Sequence, residues 1–197
     1  MELDEARASA VVEVMRLAYL RGLTQVKGGN VSFADRARGV IYITPSGVPK
    51  HSLKPSDVAI VTFEGERVRG VPSVEFMMHL QIYRRVGESQ AIVHVHPPYT
   101  LAVVGSGIQL ELGYLSEAKL KVRCYTRVPP LKPGSLELAE ATARALAETG
   151  CNVAILDDHG VVAYSPLDPF DALDTVESIE DLAKIVALRR ILSDLKS

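Results

Sequence analysis

A single-domain α/β sandwich, with helices flanking one central and largely antiparallel β-sheet, is the fold class that this 197-residue chain predicts. Three observations point there. Short apolar runs of strand composition alternate with amphipathic stretches of helical period, but without the strict βαβ repeat of a parallel sheet. No internal repeat, low-complexity segment or linker interrupts residues 1–197, so one domain is expected over the whole length. The composition, 47% hydrophobic and 23% charged, suits a soluble globular protein with a sizeable core.

Over residues 3–20 apolar side chains recur at helical spacing (Ala10, Val11, Val14, Leu17, Ala18), and Arg21-Gly22 supplies a basic last turn and a glycine stop. Paired glycines at Gly28-Gly29 then precede Asn30-Val31-Ser32-Phe33, which with residues 40–43 reads as a hairpin. Thr44-Pro45-Ser46-Gly47 is a turn, and 58–63 and 67–71 are strand candidates. Ser73 is expected to N-cap a helix whose apolar face carries Phe76, Met77, Leu80 and Tyr83, with Glu75 and His79 four residues apart on it. Residues 91–96 form a buried strand, 99–104 have helical composition, and 105–133 read as short strands and loops. A helix over 136–148, opened by Ser135 and closed by Gly150, leads into strands at 153–156 and 161–164. A last helix from 170 to about 195 is long enough to suggest packing against a partner.

The formal net charge of −2 and pI near 6.2 argue against a polyanion-binding surface, so a small molecule rather than nucleic acid is the expected partner. No apolar run approaches the ~18 residues that span a bilayer, and the acidic start, Met1-Glu2-Leu3-Asp4-Glu5, is unlike a signal peptide. A cytosolic protein is expected. Cys124 and Cys151 have neither metal-site spacing nor a small secreted framework around them, and free thiols are expected of both. The few amides, two Asn and four Gln, hint at heat stability.

The chemistry gathers around Val93-His94-Val95-His96-Pro97. Side chains alternate along a strand, so His94 and His96 share one face with Ile92, while Val93 and Val95 take the other. Two imidazoles then converge, and a catalytic zinc site typically takes three protein ligands and keeps a fourth position open. His159, at the end of the apolar run 153–156 and its turn, is the candidate third ligand. Glu75 is the candidate acid/base. Gly29-Asn30, Ser46-Gly47 and Ser73-Val74 offer small residues with donors, which together suit a phosphate. None of them matches a Walker loop or a dinucleotide fingerprint.

Taken in order, Gly29-Asn30-Val31-Ser32, Ile43-Thr44-Pro45-Ser46-Gly47, Pro72-Ser73-Val74-Glu75 with His79, Val93-His94-Val95-His96-Pro97 and His159-Gly160 resemble the class II aldolase/adducin family from the first helix to the last. The resemblance implies zinc, or another divalent metal, on His94, His96 and His159, with Glu75 as acid/base and occasional ligand. It implies phosphate binding at Gly29, Asn30, Ser46, Gly47, Ser73 and Val74, a structural His79, and a proton-donating Tyr114 given across a subunit interface in a homotetramer. The implied activity is reversible cleavage of a ketose 1-phosphate, of L-fuculose 1-phosphate type, to dihydroxyacetone phosphate and an aldehyde. The same resemblance admits a pentulose-phosphate 4-epimerase, a sugar-phosphate dehydratase or a non-catalytic adducin-type assembly module. A glutamate at 75, where the epimerases usually have aspartate, favours the aldolase; three retained histidines argue against the scaffold. Two features depart from the family. Ser73-Val74-Glu75 lacks the second serine of the common Ser-Ser-Glu, and the chain ends at Ser197, where one bacterial member carries a longer tail with another tyrosine.

Overall fold

In the computed structural model, which describes residues 3–195, eight strands form one sheet in the order β4-β3-β2-β1-β5-β8-β7-β6. They are β1 (Asn30–Asp35), β2 (Val40–Ile43), β3 (Ala59–Thr62), β4 (Arg67–Arg69), β5 (Ala91–Val95), β6 (Tyr125–Val128), β7 (Val153–Leu156) and β8 (Gly160–Ser165). Every neighbouring pair is antiparallel except β6 and β7. The expected single-sheet α/β architecture is therefore what the chain adopts.

Strand periodicity distributes the core over both faces. Val31, Val93, Val95, Val161 and Ala163 pack on one side with α1 (Glu5–Leu20), α3 (Pro98–Gly105), α4 (Ser116–Lys121) and α6 (Pro169–Asp194). Ile92, Val162 and Tyr164 pack on the other with α2 (Phe76–Arg85) and α5 (Leu136–Thr149). Each buried Val or Ile stabilises the fold by roughly 1.5–3 kcal/mol. Helix α1 is capped by Asp4, and Gly22 at φ +72 stops it; Leu17, however, is 37% exposed rather than core. Ser135 caps α5 by accepting from Leu138 N, and Gly150 closes it in the left-handed conformation.

Three expectations fail. Ser73 does not cap α2. An isolated bridge between Pro45 and Pro72, with Ser73 N donating to Thr44 O and Ser46 N to Val71 O, keeps this stretch extended, so the helix starts at Phe76 with Glu75 in the cap position. Residues 105–133 hold a 3-10 turn at Leu112–Tyr114 and helix α4 as well as strand β6. Cys124 and Cys151 are not free thiols but a disulfide. The reason is the parallel register Tyr125↔Val153, which sets the residues before β6 and β7 side by side, with Cα atoms 4.7 Å apart. Closing a 27-residue separation in this way is worth about 3–4 kcal/mol through loss of unfolded-chain entropy.

Candidate active site

The site lies where β1, β5 and β8 run side by side. The antiparallel register places Asn30 opposite His94, and β8 pairs with β5 on the other side. β5 ends at Val95, so His96 follows on the same face as His94, with the two rings 5.0 Å apart. The β7–β8 turn brings back His159, whose ring is 4.9 Å from that of His94 and stacks on His96 at 5.6 Å. Asp158 makes this turn at φ +57, a left-handed conformation that Asp tolerates better than most residues. Gly160 then passes so close to the histidines that a Cβ there would meet Val95 O, His94 Cε1 and His96 Cδ2 all inside 3 Å. Gly29, at φ +69, passes His94 O just as closely.

One ligand atom from each of His94, His96 and His159 lies within 4.8 Å of the others. The outer edges of two rings are already engaged. His94 Nδ1 donates to Val161 O at 3.1 Å and His96 Nδ1 to Gln25 Oε1 at 2.7 Å, which leaves an inward lone pair on each Nε2. His94 Nε2 meets Glu75 Oε2 at 2.9 Å, yet the approach is not aligned for a hydrogen bond, and Glu75 Oε1 and His159 Nδ1 are buried without one. Electron-rich atoms facing each other this closely call for a cation between them. By that test the donor set fits a divalent metal: His94, His96 and His159 would hold it, with Glu75 at its edge.

Burial alone would push the Glu75 carboxyl up. Positive charge on the His94 and His159 side, whether a proton or a metal ion carries it, together with the Asn30 amide outweighs burial and holds the group well below the usual carboxylate range, so it is ionised. Burial pushes His96 and His79 down to about 3 each, and His159 down as well, which keeps these imidazoles neutral, the form a metal requires. His51 stands apart, against Tyr19.

The other expected residues divide. The bridge that delays α2 also joins the 44–47 and 71–75 segments, bringing Ser46 and Gly47 beside Ser73 and Val74, while Asn30 binds Glu75 directly, Nδ2 donating to Oε2 at 3.3 Å. The N–H groups of Ser46 and Ser73 are spent on the bridge, so the donors left to an anion are the two hydroxyls and the N–H groups of Gly47 and Val74. Tyr114 is not drawn in: it is 42% exposed, with Arg189 of α6 4.2 Å over its ring. Sequence reasoning missed Gln25 and the Val161 carbonyl, which brace two histidines. Only the paired Gly28-Gly29 hinted at such close contact, since a Cβ at Gly28 would strike Gln25 and His96.

The chain belongs to the class II aldolase and adducin N-terminal domain family, whose description fits residues 9–187. Among its relatives, L-fuculose phosphate aldolase of Methanococcus maripaludis is 33% identical over 94% of this chain and 97% of its own length. The 5-deoxy-D-ribulose 1-phosphate aldolase of Bacillus thuringiensis serovar kurstaki is 36% identical over 72% of this chain and 66% of its own. The crystal structure of L-fuculose-1-phosphate aldolase from Thermus thermophilus superimposes with a TM-score of 0.82 at 27% identity, covering 96% of this chain and 97% of that one.

Proposed function

We propose that this protein is a zinc-dependent aldolase that reversibly cleaves a ketose 1-phosphate, of L-fuculose 1-phosphate type, into dihydroxyacetone phosphate and an aldehyde. The observation that carries the reading is the convergence of His94, His96 and His159 within 4.8 Å, with ionised Glu75 facing them. Two of the relatives named above are aldolases of sugar 1-phosphates that differ in the rest of the sugar, which supports the phosphate end and leaves the aldehyde open. A divalent ion at the three imidazoles would supply Lewis-acid polarisation of the substrate carbonyl, and zinc is the ion this donor set suits best.

The chain's own groups do the rest. Glu75 carries the proton to and from the carbon that C–C cleavage leaves carbanionic; its burial beside the histidines keeps it close to that carbon and shields it from bulk water. Gly29, Asn30, Ser46, Gly47, Ser73 and Val74 hold the phosphate, so binding energy far from the reacting bond orients the carbonyl. With Val74 in place of a second serine, one hydroxyl donor is missing and only the backbone N–H of this position remains. A panel of ketose 1-phosphates assayed for dihydroxyacetone phosphate tests the reading. Release from at least one of them is expected, and a metal-loaded protein that releases none from any would refute it.

The proposed assembly is a homotetramer in the cytoplasm. Grooves of about 470 and 510 Å³ lie away from the histidines, and a neighbouring subunit would supply the wall that shields the site from water. Leu188, Ile191, Leu192 and Leu195 form an exposed apolar stripe at helical spacing near the end of the chain. Tyr114, whose ring packs against Arg189 away from the histidines, is the proposed proton donor to the neighbour's site. Mixing inactive Glu75→Gln with impaired Tyr114→Phe subunits should restore some activity; a mixed assembly that gains none sinks the shared site. The disulfide bears on that location, since such bonds persist in the cytoplasm chiefly in hyperthermophiles.

A further inference from the structure

Behind Glu75 runs a buried polar chain with a fixed direction. Asn30 must turn its N–H side to Glu75 Oε2, because an amide oxygen there would face a carboxylate oxygen with no proton between them. That orientation aims Asn30 Oδ1 at His79, and since an amide oxygen only accepts, His79 Nε2–H is the donor. On the ring's other edge His79 Nδ1 lies 2.6 Å from Ser32 Oγ, which lies 2.8 Å from the Tyr83 hydroxyl. Tyr83 also reaches the Gln90 carbonyl, at the longer distance of 3.3 Å. With the imidazole neutral, Ser32 donates to Nδ1 and Tyr83 shares its one proton between Ser32 Oγ and the Gln90 carbonyl, so the donors from Ser32 onward point toward Glu75. The grouping follows from two periodicities: Asn30 and Ser32 are two apart on β1, and His79 and Tyr83 four apart on α2.

Such a chain is costly to bury and would be simpler as apolar core. Ser32 and His79 are both fully buried among the residues that join α2 to the sheet. What the chain specifies lies at its end: Glu75 Oε2 is held by Asn30, whereas Oε1, 3.4 Å from His159 Nε2, accepts no hydrogen bond. We propose that His79 is a positioning residue whose Nε2–H locks the Asn30 amide, so that Glu75 Oε2 is held and Oε1 is the oxygen that exchanges protons with substrate. The proposal rests on the role of Glu75 argued above and deepens it. It needs the proton on Nε2 and is indifferent to the state of Nδ1.

Two readouts test it. In protein as purified, with histidine selectively labelled with 15N, the ring-nitrogen shifts of His79, identified by their loss in His79→Gln, are expected to report a protonated Nε2. A ring protonated at Nδ1 alone overturns the proposal whether or not the protein is an aldolase, and even if the variants fold poorly. In turnover, His79→Leu is expected to lower kcat about ten- to hundredfold with KM within about twofold, and His79→Gln, which keeps an N–H near the position of Nε2, to recover most of it. Unchanged kcat in a folded leucine variant, or equal losses in both variants, contradicts the proposal. A wild-type protein that turns over no ketose phosphate removes the proposed function instead, and the nitrogen shifts still decide the role of His79.

Discussion

The two sides of the proposed site differ in how firmly they are built. His94, His96 and His159 stand on the central strand β5 and on the turn into its neighbour β8, and His94, His96 and Glu75 are each braced by a second residue: Val161, Gln25 and Asn30. The phosphate side is loop. Val74 is 70% exposed, Gly47 is exposed, and the two segments are tied mainly by backbone bonds between 44–46 and 71–73. Under the proposed function the difference implies a division of labour: the sheet would fix the geometry on which the reaction depends, and the loops would grip the phosphate, which takes no part in it. Substitutions on the first side should therefore act on kcat and those on the second on KM.

The largest effect is expected at Glu75. Glu75→Gln keeps the shape and the metal but removes the acid/base, and kcat should fall about 10²–10⁴-fold with metal content unchanged. Undiminished turnover would break the comparison at its firm side.

Next comes Lys50, which sharpens the contrast as a rigid element under the loops. It is 1% exposed, and its Nζ donates to Pro45 O at 3.3 Å. Burial pushes its pKa from 10.5 down to about 8, so the folded protein loses this proton before the unfolded chain does. Between about pH 8 and 10.5 the unfolded state binds more protons, and stability from this residue rises with pH across that window, by about 3 kcal/mol in full. Denaturant unfolding of wild type against Lys50→Met should show the excess rise in the wild type alone; parallel profiles would contradict it.

The smallest effect belongs to the loops. Ser73→Ala deletes one hydroxyl facing the phosphate and should raise KM about tenfold while kcat changes little, since a hydrogen bond to a charged group is worth about 1.5–3 kcal/mol at most. A loss confined to kcat would place Ser73 with the rigid side.

The same contrast governs what could be read from the chain. His94 and His96 were legible because strand period alone puts them on one face, and the caps at Ser135 and Gly150 sit beside the element they close. What escaped depends on contacts distant in sequence. The Cys124–Cys151 bond follows from a parallel register that nothing local announces, and the late start of α2 follows from the bridge between Pro45 and Pro72. Gln25 and Val161 carry no signature of their own, because an amide and a backbone carbonyl become second partners of a histidine only once β1, β5 and β8 are assembled. The family resemblance implies only a structural His79, and its partners on both ring edges reveal a direction.

The central claim is that three imidazoles hold one metal ion. Elemental analysis of extensively dialysed protein measures it most directly, with His94→Ala and His159→Ala beside the wild type. One divalent ion per chain, most abundantly zinc, is predicted for the wild type and close to none for either variant, since each removes one of three ligands. Folded variants that kept the full metal content, or a folded wild type that held no divalent ion after reconstitution with zinc, would contradict the account.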